Sequence, residues 1–252
     1  MELDISGARI LFTIPTNIPI LGDLQFTETI LVSWIVMALI TGVCIWLTHD
    51  LKVENISKRQ AAAEMLVEMA NNFVIGNMGE KFRSFIPFVA ALFTTSVVSN
   101  LISLTGLRSP TADLSTEAAW AIVVFILITR QKIKTGGLGG YMKGFTQPIA
   151  VLTPFNILSE LATPISMACR HFGNILSGVV INALIYGALA VASSALFGLL
   201  PGLLGVLLSQ IPFLSFGVPA VLSLYFDWFS GFMQAFIFCM LTTKYIANAA
   251  EE

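Results

Sequence analysis

The 252 residues are 56% hydrophobic and 11% charged, whereas soluble domains carry about 25% charged residues, a balance that argues against a water-soluble globular enzyme. The net charge of −2, from 13 Lys+Arg against 15 Asp+Glu, supplies no field that would hold nucleic acid. At about 20 apolar residues per spanning helix, the length accommodates about five spans, and the expected class is an all-α membrane protein forming a single integral membrane domain over residues 1–252.

Residues 1–28 mix β-branched residues with Pro15, Pro19 and Gly22, which predicts an extended arm at the membrane edge. Its start, MELD, has no basic region ahead of an apolar stretch and does not read as a cleavable signal peptide. Residues 29–48 are uncharged and carry Trp34 and Trp46 as interface anchors, a first span. Residues 57–82 predict an amphipathic surface helix, with Met65, Met69 and Phe73 opposite Glu64, Glu68 and Asn71. The uncharged run 84–107 is a second span and 114–129 a third, with Glu117 near its start. Arg130, Lys132, Lys134 and Lys143, set among Gly136, Gly137, Gly139 and Gly140, predict a basic flexible loop.

Segments 49–83 and 130–143 carry five and four Lys/Arg, against one each in the N-terminal arm and the 108–117 loop, which places the N-terminus outside and both basic segments inside. In the 83 residues between Glu160 and Lys244 only Arg170 and Asp227 are charged. With turn residues Pro201, Gly202, Pro212, Gly217 and Pro219 in the middle, residues 145–250 predict a long helical hairpin that completes five spans and returns the C-terminus inside. Cys44, Cys169 and Cys239 lie in apolar runs without ligand spacing and read as small core residues.

An arginine in the middle of an apolar segment costs at least about 2.5–3.5 kcal/mol and stays protonated, so its charge must be used. At about 100° per residue, Ser159, Thr163, Ser166, Arg170, Asn174 and Ser177 fall within roughly 40° of one meridian, a polar stripe that Pro164 interrupts only by a bend. Ser and Thr taken singly are read as bonding back to their own helix. On the last helix Ser223, Asp227, Gly231, Gln234 and Tyr245 share a face, and the two stripes are expected to oppose each other. Asp227 is either a functional carboxylate or a counter-ion to Arg170, and Glu160 either a channel acid or an interfacial charge. His171, about 100° from Arg170, and His49 read as packing or interface residues. Nucleotide, zinc and dinucleotide motifs are missing, and no cofactor is expected.

The run ISMACRHFGNILSG (165–178) resembles the signature of subunit a of F-type ATP synthases, approximately S-x-x-x-R-L-x-G-N. PFNILSE (154–160), PTADLS (110–115) and QAFIFCMLT (234–242) resemble its other motifs in the same order, from about residue 28 to the end. The resemblance implies a membrane-sector subunit, not an enzyme on its own, whose long tilted hairpin lies against a rotating ring of c subunits, with b-type peripheral stalk subunits as further partners. It implies that Arg170 faces the ring carboxylates, that Asn174, Ser166 and Gln234 are polar neighbours, and that H⁺ or Na⁺ passes through two offset half-channels. Val179 stands where the family often has an acid, and Asp227, seven residues before Gln234, is expected to take over that role. His171 replaces the usual leucine. The implied location is a bacterial plasma membrane, multi-pass, with an organellar membrane as the lesser expectation. Two other readings compete: an ion-coupled secondary transporter, which predicts a complete ion site within the chain, and an intramembrane hydrolase using Ser177 or Ser230 with His171.

Overall fold

The computed structural model describes residues 9–15, 23–198 and 224–250, without the side chains of Val179, Leu224, Phe226 and Asp227. Pro201, Gly202, Pro212, Gly217, Pro219 and Ser223, the turn and stripe positions of the expected hairpin, lie outside the described residues. The described parts of the N-terminal arm include two strands: β1 (Ile10–Ile14) and β2 (Leu24–Thr27) form an antiparallel ribbon, with Phe12 and Phe26 stacked at 4.5 Å.

Helix α1 (Glu28–Thr48) matches the first uncharged run and buries only Thr29, Val32 and Val36. Val32 and Val36 pack on Ile102, leaving most of this apolar helix exposed to its surroundings. Helix α2 (Lys58–Met78) starts where Ser57 Oγ accepts from the Gln60 N–H and stops at Gly79. Gly79 has φ 87°, a left-handed geometry that a side chain would strain. The face that α2 buries is the one with Val74 and Met78, while Met65 and Met69 are exposed. Of the apolar stripe read from the sequence, Phe73 packs against the core with its ring 5.6 Å from that of Phe236, while Met65 and Met69 make no such contact, and a short turn, Glu80–Phe85, inserts Phe82 into the core.

Helix α3 (Ile86–Leu101) begins with proline in its first turn, where a missing N–H costs nothing. Helix α4 (Leu114–Gly144) begins at Asp113, whose carboxylate accepts from the Ser115 N–H. It corrects the expectation of a flexible basic loop after residue 129: Arg130 to Gly144 continue the helix, and only Gly137 leaves it, at φ 70°. Arg, Gln and Lys are good helix formers, and the glycines interrupt the ladder at this one position.

Helix α5 (Thr153–Gly198) has 46 residues with Pro164 inside it. At 1.5 Å per residue it is about 69 Å long, more than twice the roughly 30 Å thickness of a hydrocarbon core. A π-type turn, Leu224–Ser230, leads into α6 (Gly231–Asn248). Helices α2 to α6 share one core, with Val74, Met78, Phe82, Val89, Ala121, Val124, Ile128, Met167, Ala168, Phe238, Cys239 and Ile246 at its centre. Helix α6 contributes Gly231, Gln234, Ala235, Phe238, Cys239, Thr242, Thr243 and Ile246, a stripe at three- and four-residue spacing.

Among the described residues four helical segments are long and apolar enough to cross a membrane: Glu28–Thr48, Glu80–Thr105, Leu114–Gly144 and Ala150–Gly198. Of the cysteines only Cys239 is a core residue; Cys44 and Cys169 are exposed, because their apolar surroundings lie outside the chain.

Candidate functional site

The phase of α5 decides where its polar residues point. Ser159, Ser166, Arg170 and Ser177 are exposed, with Thr163 and Asn174 half-buried at the edge of the same strip. Thr163 Oγ1 and Ser177 Oγ donate to the carbonyls of Ser159 and Asn174, the back-bonding expected of single hydroxyls in apolar helices. Ile165 and Leu176, on the same helix as Arg170, are exposed as well. No carboxylate among the described side chains pairs with Arg170. The Asp227 backbone lies in the turn Leu224–Ser230, but its side chain is outside the described set, so the counter-ion reading stands open.

Helix α6 meets this strip at one point. Ser230 Oγ donates to Asn174 Oδ1 at 3.0 Å, one turn beyond Arg170. The rest of the α6 face turns into the bundle: Gly231 packs against Asn100, and Gln234 is 7% exposed. The contact at Asn174 comes from Ser230, which is not one of the expected stripe residues; of those, Gly231 and Gln234 are buried. Gln234 Nε2 has no hydrogen-bond partner among the described residues.

A chain of polar contacts continues from this point toward the start of α4. Asn100 Nδ2 donates to the Gly231 carbonyl at 2.9 Å, and Asn100 Oδ1 accepts from Thr111 Oγ1 at 2.6 Å. Thr111 Oγ1 lies 2.6 Å from Ser109 Oγ, which donates to the Ser99 carbonyl. Beside it, Thr29 Oγ1 donates to Asp113 Oδ2 at 3.1 Å. Buried polar groups in apolar surroundings are stable only when so connected.

At the opposite end of α4 is a cleft of about 670 Å³, lined by Lys132, Tyr141, Lys143, Asn156, Ser159 and Glu160 among others. Glu160 accepts from Lys132 Nζ at 3.1 Å, and Asn156 Nδ2 donates to the carbonyls of Phe145 and Gln147. The structure therefore separates the expected residues: Glu160 in this cleft, Arg170 and Ser166 on the exposed face, Asn174 against Ser230, and Gln234 buried in the bundle.

One pair escaped sequence reading. His171, which follows Arg170, turns inward and is 0% exposed; Glu117 on α4 is also 0% exposed, with 2.9 Å between His171 Nδ1 and Glu117 Oε2. The sequence signal was present in halves, a carboxylate and an imidazole each inside an apolar run. Their 54-residue separation in the chain kept them apart on paper.

Fold and site together define a multi-pass helical membrane protein with its polar groups set around an outward-facing arginine. The family profile of the ATP synthase A chain matches residues 30–247. The chain is 35% identical over 231 residues to ATP synthase subunit a 1 of Chlorobaculum parvum, covering 90% of both chains. It is 31% identical to ATP synthase subunit a of Desulforamulus reducens, covering 88% of this chain and 79% of that one. It is 28% identical to the sodium ion specific ATP synthase subunit a of Propionigenium modestum, covering 88% of this chain and 74% of that one. The chain belongs to the ATP synthase A chain family, a membrane subunit of the synthase and not itself a catalytic enzyme.

Proposed function

We propose that this chain is the stator ion-channel subunit of a rotary ATP synthase, in which Arg170 faces a ring of c subunits and separates two offset half-channels. The observation that carries the reading is the exposed Arg170 on α5, with a polar tract on one side and a polar cleft on the other, at opposite ends of α4. Along α5, Ser159 in the cleft is about 16 Å from Arg170 and Asn174 is about 6 Å beyond it. Neither tract passes Arg170 directly.

The physics follows from a fixed cation in a low-dielectric interface. Arg170 favours the ionised form of a ring carboxylate that comes opposite it, so the ion held there leaves on one side. To reload, the carboxylate must travel round to the other tract, which turns ion flow into rotation. Each charge that crosses contributes about 2.3 kcal/mol per 100 mV of membrane potential, so several crossings are summed per ATP. Glu160 with Ser159 and Asn156 serves the inner tract. Asn174, Gln234 and Asp227 serve the outer tract, and Ser166 lines the ring face one turn before Arg170. The outward face of α5, rich in exposed apolar residues, receives the ring; b-type stalk subunits hold the chain in place.

Five spans are assigned, the fifth being α6, with a strongly tilted α5 because a helix of this length does not fit upright. The N-terminus is outside and the C-terminus inside a bacterial plasma membrane, following the Lys/Arg of 49–83 and 130–143. The transported ion is H⁺ or Na⁺. The test is sided thiol labelling in membrane vesicles, with native cysteines replaced and single cysteines at 156, 159, 111 and 174. Positions 156 and 159 react with a membrane-impermeant reagent added from the inner side, and 111 and 174 from the outer side. Reaction of all four from one side overturns the two-channel reading.

A further inference from the structure

The ion path has a fixed element in Arg170, and something must fix the rotation of α5 about its own axis at that level. Apolar packing of Met167 and Ala168 on the core contributes, but its driving force is non-directional. Polar contacts add a directional constraint. The described polar contacts that tie α5 to other elements near Arg170 are two: Asn174 to Ser230 on the approach to α6, and His171 to Glu117 on α4.

The second is the more demanding. Glu117 lies on the same α4 face as Ala121, Val124 and Ile128, and so points into the core. His171 is enclosed by the rings of Trp120, at 6.3 Å, and Phe238, at 5.7 Å between centroids. Neither residue has solvent access, and apart from the 2.9 Å ion-pair approach of His171 Nδ1 to Glu117 Oε2, which lacks hydrogen-bond geometry, the polar atoms of both side chains have no hydrogen-bond partner among the described residues. A carboxylate in such surroundings is tolerated only against an opposite charge or a donor, and an imidazolium only against an acceptor. Each group therefore has one good position, which is against the other. Arg170 and His171 are adjacent and about 100° apart on the helix, so seating His171 inward on Glu117 sets Arg170 outward.

The geometry points to Glu117 and His171 as a positioning pair that locks the azimuth of α5 and thereby the aim of Arg170 at the ring. This rests on Arg170 acting in the ion path, and the experiment separates the two claims. Assembled enzyme in vesicles carries Glu117→Ala, His171→Ala, the exchange Glu117→His/His171→Glu, or the neutral pair Glu117→Gln/His171→Gln, with Arg170→Ala as a control. Two readouts are taken: ion-driven ATP synthesis, and cross-linking of a Ser166→Cys side chain to a cysteine on the ring. Single alanine variants lose synthesis at least tenfold and lose cross-linking at equal ring content. The exchange and the Gln/Gln pair, which restore a polar contact between the same positions, recover both to within threefold. An inactive Gln/Gln variant beside an active exchange overturns positioning and makes the pair a proton relay. Wild-type behaviour of the alanine variants with Arg170→Ala inactive overturns the pair alone. A coupled Arg170→Ala enzyme overturns the ion-path reading beneath it.

Discussion

Gly231→Ala is the substitution for which the structure gives the sharpest expectation. A Cβ at residue 231 meets Asn100 Cβ at 3.0 Å, Nδ2 at 3.2 Å and Cγ at 3.3 Å, all closer than ordinary contact. Asn100 is 5% exposed and held at both ends of its amide, by Thr111 at 2.6 Å and by the Gly231 carbonyl at 2.9 Å. It has no free direction in which to yield. Overpacking of this kind costs about 1–3 kcal/mol, and each buried hydrogen bond broken to relieve it costs about 1–3 kcal/mol more. One such bond lost on top of the clash gives about 2–6 kcal/mol. The measurement is unfolding of the purified subunit in mixed micelles, titrated with a denaturing detergent. Asn100→Gly removes all three obstructing atoms at its own cost, so the double variant is less destabilised than the sum of the singles by about 1 kcal/mol or more. A Gly231→Ala protein within about 0.5 kcal/mol of wild type, or strict additivity in the double variant, refutes the close α3–α6 contact.

Three further outcomes are expected. Lys132→Ala leaves Glu160 without its 3.1 Å partner and destabilises by about 1 kcal/mol, most of which the added Glu160→Ala restores in the same unfolding assay. Arg59→Ala removes a guanidinium 5.4 Å from the Trp46 ring, costing about 0.5–1 kcal/mol and shifting the emission of Trp46 when the other tryptophans are replaced. Asp227→Asn abolishes ion-driven synthesis in vesicles while the ring remains bound; an active Asp227→Asn enzyme removes Asp227 from the ion path.

The long apolar helices were legible because a span must be apolar throughout. Residues 29–48 became α1 almost to the residue, and the run 84–107 became α3 with its flanking turns. The phase of α5 was legible for the same physical reason: polar residues at matching angles on one helix share a surface, and Ser159, Ser166, Arg170 and Ser177 are all exposed. Other features depended on contacts that one segment cannot announce. The continuation of α4 past residue 129 was hidden by its glycines, and the pairing of β1 with β2 by the distance between two short extended runs. Met65 and Met69 read as the apolar face of a surface helix, and they are exposed; periodicity reports that a stripe exists, not what covers it. His171 with Glu117 is the strongest example, since each residue alone looked like a tolerated polar group.

The assignment of Arg170 is tested most directly by ion-driven ATP synthesis in vesicles carrying Arg170→Ala, with ring content confirmed by pull-down. Synthesis falls to background with the complex intact if this arginine separates the two half-channels. Normal coupled synthesis in that enzyme contradicts it, and leaves the polar strip of α5 as packing.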